Sequence, residues 1–315
     1  MKSFQELKRN LKKDFSKFQY LKVAVLADSS SQLYIQSLRG YGFEVGINLD
    51  IYEADFDQID LEVFNYSSKL YSEEQHYIII YQSTEKLYDK YSKLNYEEKV
   101  SFADDHIDYI NSICRTISER SKAKLIFFNF TECRDNVFGN FANKTAYSFV
   151  YQIRKLNYEL MNLAQESKNL YINDLGALSF MYGHDFVKNT KIYFQTSLIF
   201  SFDFLPVISK NTMDIILSIE GKFKKCLILD LDNTLWGGII GDDGIEKIEI
   251  GELGLGKVFA QIQTWAKLLK ERGIILAVCS KNNEEIAKEP FKRHPEMILH
   301  LEDIAVFVAM QFALF

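Results

Sequence analysis

The sequence predicts an α/β protein of two doubly wound units, each with a parallel sheet, and three observations predict it. Short apolar runs of strand length alternate with longer amphipathic stretches of helical spacing, the alternation that lays helices on the faces of a parallel sheet. That pattern runs to about residue 220 and then restarts. The length, 315 residues, suits two domains of roughly 100–200 residues each.

The elements follow in order. In residues 1–20, Phe4, Leu7, Leu11, Phe15 and Phe18 recur every three or four positions, which predicts an amphipathic helix that packs, binds a partner or lies on a membrane surface. Residues 21–27 (LKVAVLA) read as a buried strand and open a domain spanning 21–220. Asp28-Ser29-Ser30-Ser31 leads into a helix through Arg39, with Gly40 and Gly42 as its stop. Residues 77–81 (YIIIY), 124–130 (KLIFFNF) and 169–174 (NLYIND) read as further strands, with helices over 84–120 and 146–166 between them. A helix over 213–220 ends at Gly221, the predicted boundary with a second domain over 221–315. There, 225–229 (KCLIL) is a strand ending at Asp230 and 259–272 a helix. Residues 274–279 (IILAVC) form a strand ending at Ser280, and a helix follows from Asn283.

Composition is that of an ordinary globular chain, 47% hydrophobic and 25% charged. The net charge of −6, from 37 basic and 43 acidic residues, gives no support to nucleic-acid binding, which calls for a basic face. None of the four cysteines (Cys114, Cys133, Cys226, Cys279) forms a CxxC pair, so the reading is a reducing compartment without disulfides. The N-terminus lacks the apolar core of a signal peptide, and no run of about 18 apolar residues offers a membrane span. The expected location is the cytoplasm.

Chemistry concentrates where the second unit's strands end. Ligands of parallel α/β sheets bind beyond the carboxyl ends of the strands, and Asp230 and Asp232 stand there two residues apart, on one side of the chain. One carboxylate can attack a phosphoryl group and the other serve as acid and base. Two carboxylates and a phosphate call for a hard cation such as Mg²⁺. Thr234 adds a hydroxyl. Ser280-Lys281-Asn282 follows the next strand, where a serine hydroxyl beside a helix start can hold phosphate, or can cap the helix instead.

These motifs carry a resemblance. DLDNTLWGG with the later CSKNN resembles the haloacid dehalogenase (HAD) superfamily, and LDLDNTLWGGIIGDDG, GELGLGKVFAQIQ, AVCSKNNEE and HPEMILHLEDIAVFVA look like its FkbH-like subfamily. The resemblance implies an SGNH/GDSL-like domain followed by a HAD-like phosphatase domain. It also implies loading of a glyceryl unit from an acyl phosphate onto an acyl carrier protein. By motif, Asp230 becomes the nucleophile, Asp232 the acid/base, and Thr234, Ser280, Lys281 and Asn282 the phosphate-binding set. Asp230 and the Asp232 carbonyl hold Mg²⁺, and residues 236–244 form a flap. The superfamily adds a lysine and an acidic pair after the serine motif, whereas this chain stops at Phe315 and its likeness ends after Ala309. The HAD-like domain is therefore expected to be incomplete, with little phosphatase activity in this chain alone, and a non-catalytic role in binding a carrier protein or acyl group is the alternative.

The first domain offers a weaker site. Asp28-Ser29 resembles the GDS nucleophile block of GDSL hydrolases, and Gly139-Asn140 the region supplying oxyanion donors. A serine nucleophile requires a base, and Asp203-Phe204-Leu205-Pro206 has proline where the Asp-x-x-His block has histidine. Ser29 is then an esterase nucleophile, a helix cap or part of a binding site. His76 and His106 read as surface residues. Residues 251–257 match GxxxxGK, but Val258 replaces the Ser or Thr of a nucleotide loop, leaving a turn into a helix.

Overall fold

The computed structural model describes residues 2–133 and 135–309. The tail 310–315, whose departure from the family pattern the sequence marks, lies outside the described residues. The chain divides into two compact units, Met1–Glu220 and Gly221–Phe315.

The first unit runs α1 (Phe4–Asn10), β1 (Gln19–Ala27), α2 (Gln32–Glu44), β2 (Ile47–Glu53), α3 (Ile59–Phe64), β3 (Tyr77–Tyr81), α4 (Thr84–Ser92), α5 (Tyr96–Arg120), β4 (Lys124–Phe128), α6 (Phe149–Glu166), β5 (Leu170–Asn173), α7 (Leu175–Tyr182), α8 (His184–Val187), α9 (Thr190–Thr196) and α10 (Leu205–Ile219). All five strands are parallel, in the order β2-β1-β3-β4-β5. This doubly wound order reverses direction between β1 and β3, which opens a crevice at the strands' carboxyl ends. Strand alternation explains the two cores. Val23 and Val25 face α2 and α10, while Ala24 and Leu26 face α3, α5 and α6. A strand buried on both faces reads as a continuous apolar run, which is why β1, β3 and β4 are plain in the sequence. The edge strand β2 alternates buried with half-exposed positions and carries no such run; the sequence reading passes over it.

Three expectations need correction. The N-terminal helix spans only Phe4–Asn10, capped by a reciprocal Ser3–Glu6 box. Beyond it, Phe15 and Phe18 set their ring edges on Phe43, centroids 5.2 Å away. Gly40 and Gly42 do not stop α2 but lie within it. A Cβ on Gly40 would stand 2.3 Å from the Leu7 carbonyl oxygen, so the glycine lets α1 pack directly on α2. The helix foreseen over 84–120 breaks into α4 and α5, because Asn95 and Glu98 cap each other's backbone N–H groups at 2.8 and 3.0 Å.

The second unit comprises β6 (Cys226–Leu229), α11 (Ile240–Asp243), α12 (Gly256–Glu271), β7 (Ile275–Ser280), α13 (Glu284–Arg293) and β8 (Val306–Ala309). Its strands are parallel in the order β6-β7-β8. Leu229, Leu276 and Val278 pack with Ala266 of α12 and with Ala287 and Phe291 of α13. The opposite face is bare among the described residues: Ile228 is 66% exposed, and Ile275, Cys279 and Val306 are exposed beside it. All four cysteines are free thiols. Among the described residues no helix is long and apolar enough to cross a membrane.

Candidate active site at the ends of β6 and β7

Asp230 follows β6 directly and is exposed. Among the described residues its carboxylate takes one hydrogen bond, from the Leu231 N–H to Oδ1 at 2.8 Å, which leaves Oδ2 free. The chain then turns sharply. Asn233 adopts φ 54°, a left-handed conformation that asparagine tolerates, and its Oδ1 accepts the Gly238 N–H at 3.1 Å. This turn brings Trp236 back beside Asp232.

Asp232 is held from three directions. Oδ1 accepts Trp236 Nε1–H at 3.1 Å and the Ile240 N–H at 3.0 Å, and Oδ2 accepts Asn282 Nδ2–H at 2.7 Å. Asn282 also donates to Ser280 Oγ at 3.2 Å. The structure thus joins the motif after β6 to the motif after β7 through Asp232–Asn282–Ser280. The sequence reading treats Asn282 as a phosphate ligand; here its amide is engaged with Asp232. Ser280 is buried and does not cap α13, which Asn283 caps through bonds from Glu285 N and Ile286 N. Thr234 is half-buried and Lys281 exposed, and neither side chain forms a hydrogen bond among the described residues.

The expected flap over 236–244 is partly core. Trp236 is fully buried, with its ring edge against Phe291 at 5.8 Å, and Ile240 is buried at the start of α11. Sequence reasoning missed this, because the contact joins residues far apart in sequence, Trp236 and Phe291. The GxxxxGK segment is a turn running into α12 at Gly256, as its sequence implies.

The first-unit candidates do not share a site. Asp28 is buried, and its Oδ2 accepts the Ser83 N–H at 2.7 Å and Oγ–H at 3.0 Å. Burial pushes its carboxyl up to about 6 against the opposing Ser83 bond. Ser29 is buried in the wall of a small cavity of about 10 Å³, among Tyr34, Tyr81 and Phe128. It does not cap α2, whose capping position is Ser31, and no histidine bonds to it among the described residues. Gly139 and Asn140 lie exposed on a 3₁₀ turn that borders a different depression, with Arg154 and Asp135. His106 is a further correction. It is buried beside Gln82, Nε2 to Oε1 3.1 Å, and burial pulls its pKa down to about 4.

Comparison with known proteins gives the family. Residues 22–217 match the sequence profile of the FkbH N-terminal domain. The chain belongs to the FkbH family. A solved structure from Bacteroides fragilis, the N-terminal part of a protein containing a phosphatase domain and complexed with Mg, is 46% identical to this FkbH-family chain. It superposes with a TM-score of 0.92 over 99% of this chain and 82% of its own. The Enterococcus faecalis lipase/acylhydrolase superposes at a TM-score of 0.41 and 14% identity, over 63% of this chain and 96% of its own. No curated protein matches in sequence.

Proposed function

We propose that the second unit of this FkbH-family chain performs Mg²⁺-dependent phosphoryl transfer, with Asp230 as nucleophile. The observation that carries this reading is the unequal placement of the two carboxylates. Asp230 Oδ2 is open to solvent and free, whereas Asp232 is fixed by three donors. A nucleophile needs an unencumbered oxygen; an acid/base needs a fixed position. Asp230 attacks phosphorus, and the leaving-group oxygen takes its proton from Asp232. Asp232 then takes a proton from water, whose oxygen attacks phosphorus and frees Asp230. Oδ2 of Asp232 has one protein donor and a lone pair left to carry that proton.

The residues fit a magnesium ion. Among the described residues no group of three or more His, Cys, Asp and Glu side chains gathers. Mg²⁺ is characteristically held by one or two carboxylates, substrate phosphate and retained waters. The Asp230 carboxylate and the Asp232 main-chain carbonyl would hold it. Bound there, the ion neutralises the phosphoryl oxygens beside a carboxylate that would otherwise repel them. The family match and the Mg-complexed relative support this reading.

The family resemblance also points to an acyl phosphate as donor and an acyl carrier protein as partner that receives a glyceryl unit, and we include both in the proposal. The test is phosphate release from p-nitrophenyl phosphate and from an acyl phosphate, with Mg²⁺ and with EDTA. Release that requires Mg²⁺ supports the reading, and release that persists in EDTA refutes it. Transfer to the carrier is read separately, as the mass gain of a phosphopantetheinylated carrier protein.

A further inference from the structure

The first unit holds a cleft of about 620 Å³ where β3 and β4 end, walled by the start of α4, the loop after β4, the start of α6 and the α8–α9 segment. That volume falls within the range of small-molecule sites, roughly 300–1,000 Å³. The position is the crevice at the carboxyl ends of a parallel sheet where such folds bind ligands. Tyr88, Phe138, Phe149, Tyr193 and Phe194 line it. Tyr88 is 43% and Phe194 81% exposed, so ring surface is presented to solvent within a concavity, the setting of a binding site rather than of a core.

Charge in the walls is predominantly negative. Glu85, Asp89 and Asp135 stand against Lys188, the one lysine or arginine among the described lining residues. Lys188 is engaged inside the wall: its side chain is only 6% exposed, and Nζ donates to Glu85 Oε1 at 2.6 Å and to Thr131 Oγ1 at 2.9 Å. That ion pair cancels, which leaves Asp89 and Asp135 uncompensated. Asp89 is exposed, and its carboxylate forms no ion pair or hydrogen bond among the described residues. Asp135 Oδ1 accepts the Val137 and Phe138 N–H groups at 2.8 and 2.6 Å, and Oδ2 accepts no hydrogen bond among the described residues. The field of these carboxylates reaches the rings. Burial first, then Glu85 and Asp89, raise the Tyr193 phenol, and burial with Asp135 next pushes the Tyr91 phenol up to about 12.

The two features select one ligand class. Aromatic faces attract a cation and its alkyl groups alike, and the uncompensated carboxylates supply the counter-charge. A metal ion calls for converging oxygen ligands, and among the described residues no group of three or more His, Cys, Asp and Glu side chains gathers. An anion meets the carboxylates and finds no unpaired lysine or arginine in the described walls. We propose that this cleft binds an organic ammonium ion, its cationic head against the Tyr88, Tyr193 and Phe194 rings and countered by Asp89 and Asp135. The inference does not rest on the phosphoryl-transfer reading, since it concerns only the first unit. It assigns binding and no covalent step.

Three probes of nearly one shape and different charge test it on the full chain by ligand-observed NMR at low ionic strength: choline, 3,3-dimethylbutan-1-ol, which has carbon in place of the quaternary nitrogen, and 3,3-dimethylbutanoate. Choline is expected to bind with a dissociation constant on the order of 1 mM, as suits so small a ligand. The alcohol should bind at least about fivefold more weakly, as loss of the cation–π attraction implies, and the carboxylate more weakly still. Asp89→Asn, at an exposed position, should weaken choline about threefold and leave the alcohol unchanged. Tyr193→Leu, which keeps apolar bulk and removes a ring face, should weaken choline about fivefold. The alcohol or the carboxylate binding as tightly as choline overturns the proposal, as does choline binding that neither variant weakens or that is absent at about 20 mM. Should Tyr193→Leu fail to fold by circular dichroism, the ranking of the three probes and the Asp89→Asn variant decide.

Discussion

Asn282, in the loop after β7, donates from Nδ2 to Asp232 Oδ2, in the loop after β6, at 2.7 Å. The same amide reaches Ser280 Oγ at 3.2 Å, so one side chain bridges the Asp232 carboxylate and the serine. Asn282→Ala should leave Asp232 Oδ2 without its donor. A hydrogen bond to a charged group contributes roughly 1.5–3 kcal/mol. We expect kcat for phosphate release to fall at least about tenfold while the fold persists, and steady-state kinetics with a circular dichroism control check this.

Trp236 links that network to the core. Its Nε1–H bonds to Asp232 while its ring is fully buried against Phe291. Trp236→Phe keeps an aromatic ring but removes the donor and part of the packing. Loss of about 1–3 kcal/mol is expected in the unfolding of the second unit, read from urea denaturation, with little change in the first unit.

Gly40 tests the N-terminal packing. With a Cβ placed 2.3 Å from the Leu7 carbonyl oxygen, Gly40→Ala must push α1 off α2. Overpacking of this kind costs roughly 1–3 kcal/mol. A lower melting temperature and faster proteolytic trimming of the first ten or so residues are the expected signs, despite the higher helix propensity of alanine.

Asp28 and His106 oppose each other in acid. The Asp28 carboxyl is raised to about 6 by burial, so between about pH 4 and 6 the folded state holds a proton that the unfolded state has released. Its contribution to stability falls as pH rises through that window. The His106 imidazole is lowered to about 4 by burial, so over about pH 4 to 6.5 the unfolded state holds the extra proton. Its contribution rises with pH. Relative to the unmodified chain, Asp28→Asn should make stability climb more steeply from pH 4 to 6, and His106→Gln should make it climb less or decline. Urea midpoints across that range check both signs.

The same residues show what a sequence discloses. Strands buried on both faces are plain because every position is apolar, whereas β2, with one side partly wet, has the composition of a loop. The DLDNT and SKNN motifs meet, as their places in the sequence suggest, because each ends a strand of a parallel sheet and such ends converge. Who bonds whom inside the site was not legible. That Asn282 serves Asp232, and that Trp236 anchors the loop, depends on the Asn233 turn and on helix packing, neither of which has a local signature. The Lys188–Glu85–Thr131 cluster draws on three segments separated by dozens of residues, and none of the three is unusual by itself. His106 shows the converse: its charge-rich neighbours Asp104, Asp105 and Asp108 suggest a surface, yet helical phase turns it inward.

The central claim is that Asp230 is the nucleophile, and trapping the covalent intermediate tests it most directly. The chain is incubated with Mg²⁺ and a ³²P-labelled acyl phosphate, quenched in acid and digested, and the labelled peptide is sequenced. The account predicts label on the peptide containing Asp230, discharged by hydroxylamine and missing in Asp230→Asn. Label on another residue, or label undiminished in Asp230→Asn, would contradict it.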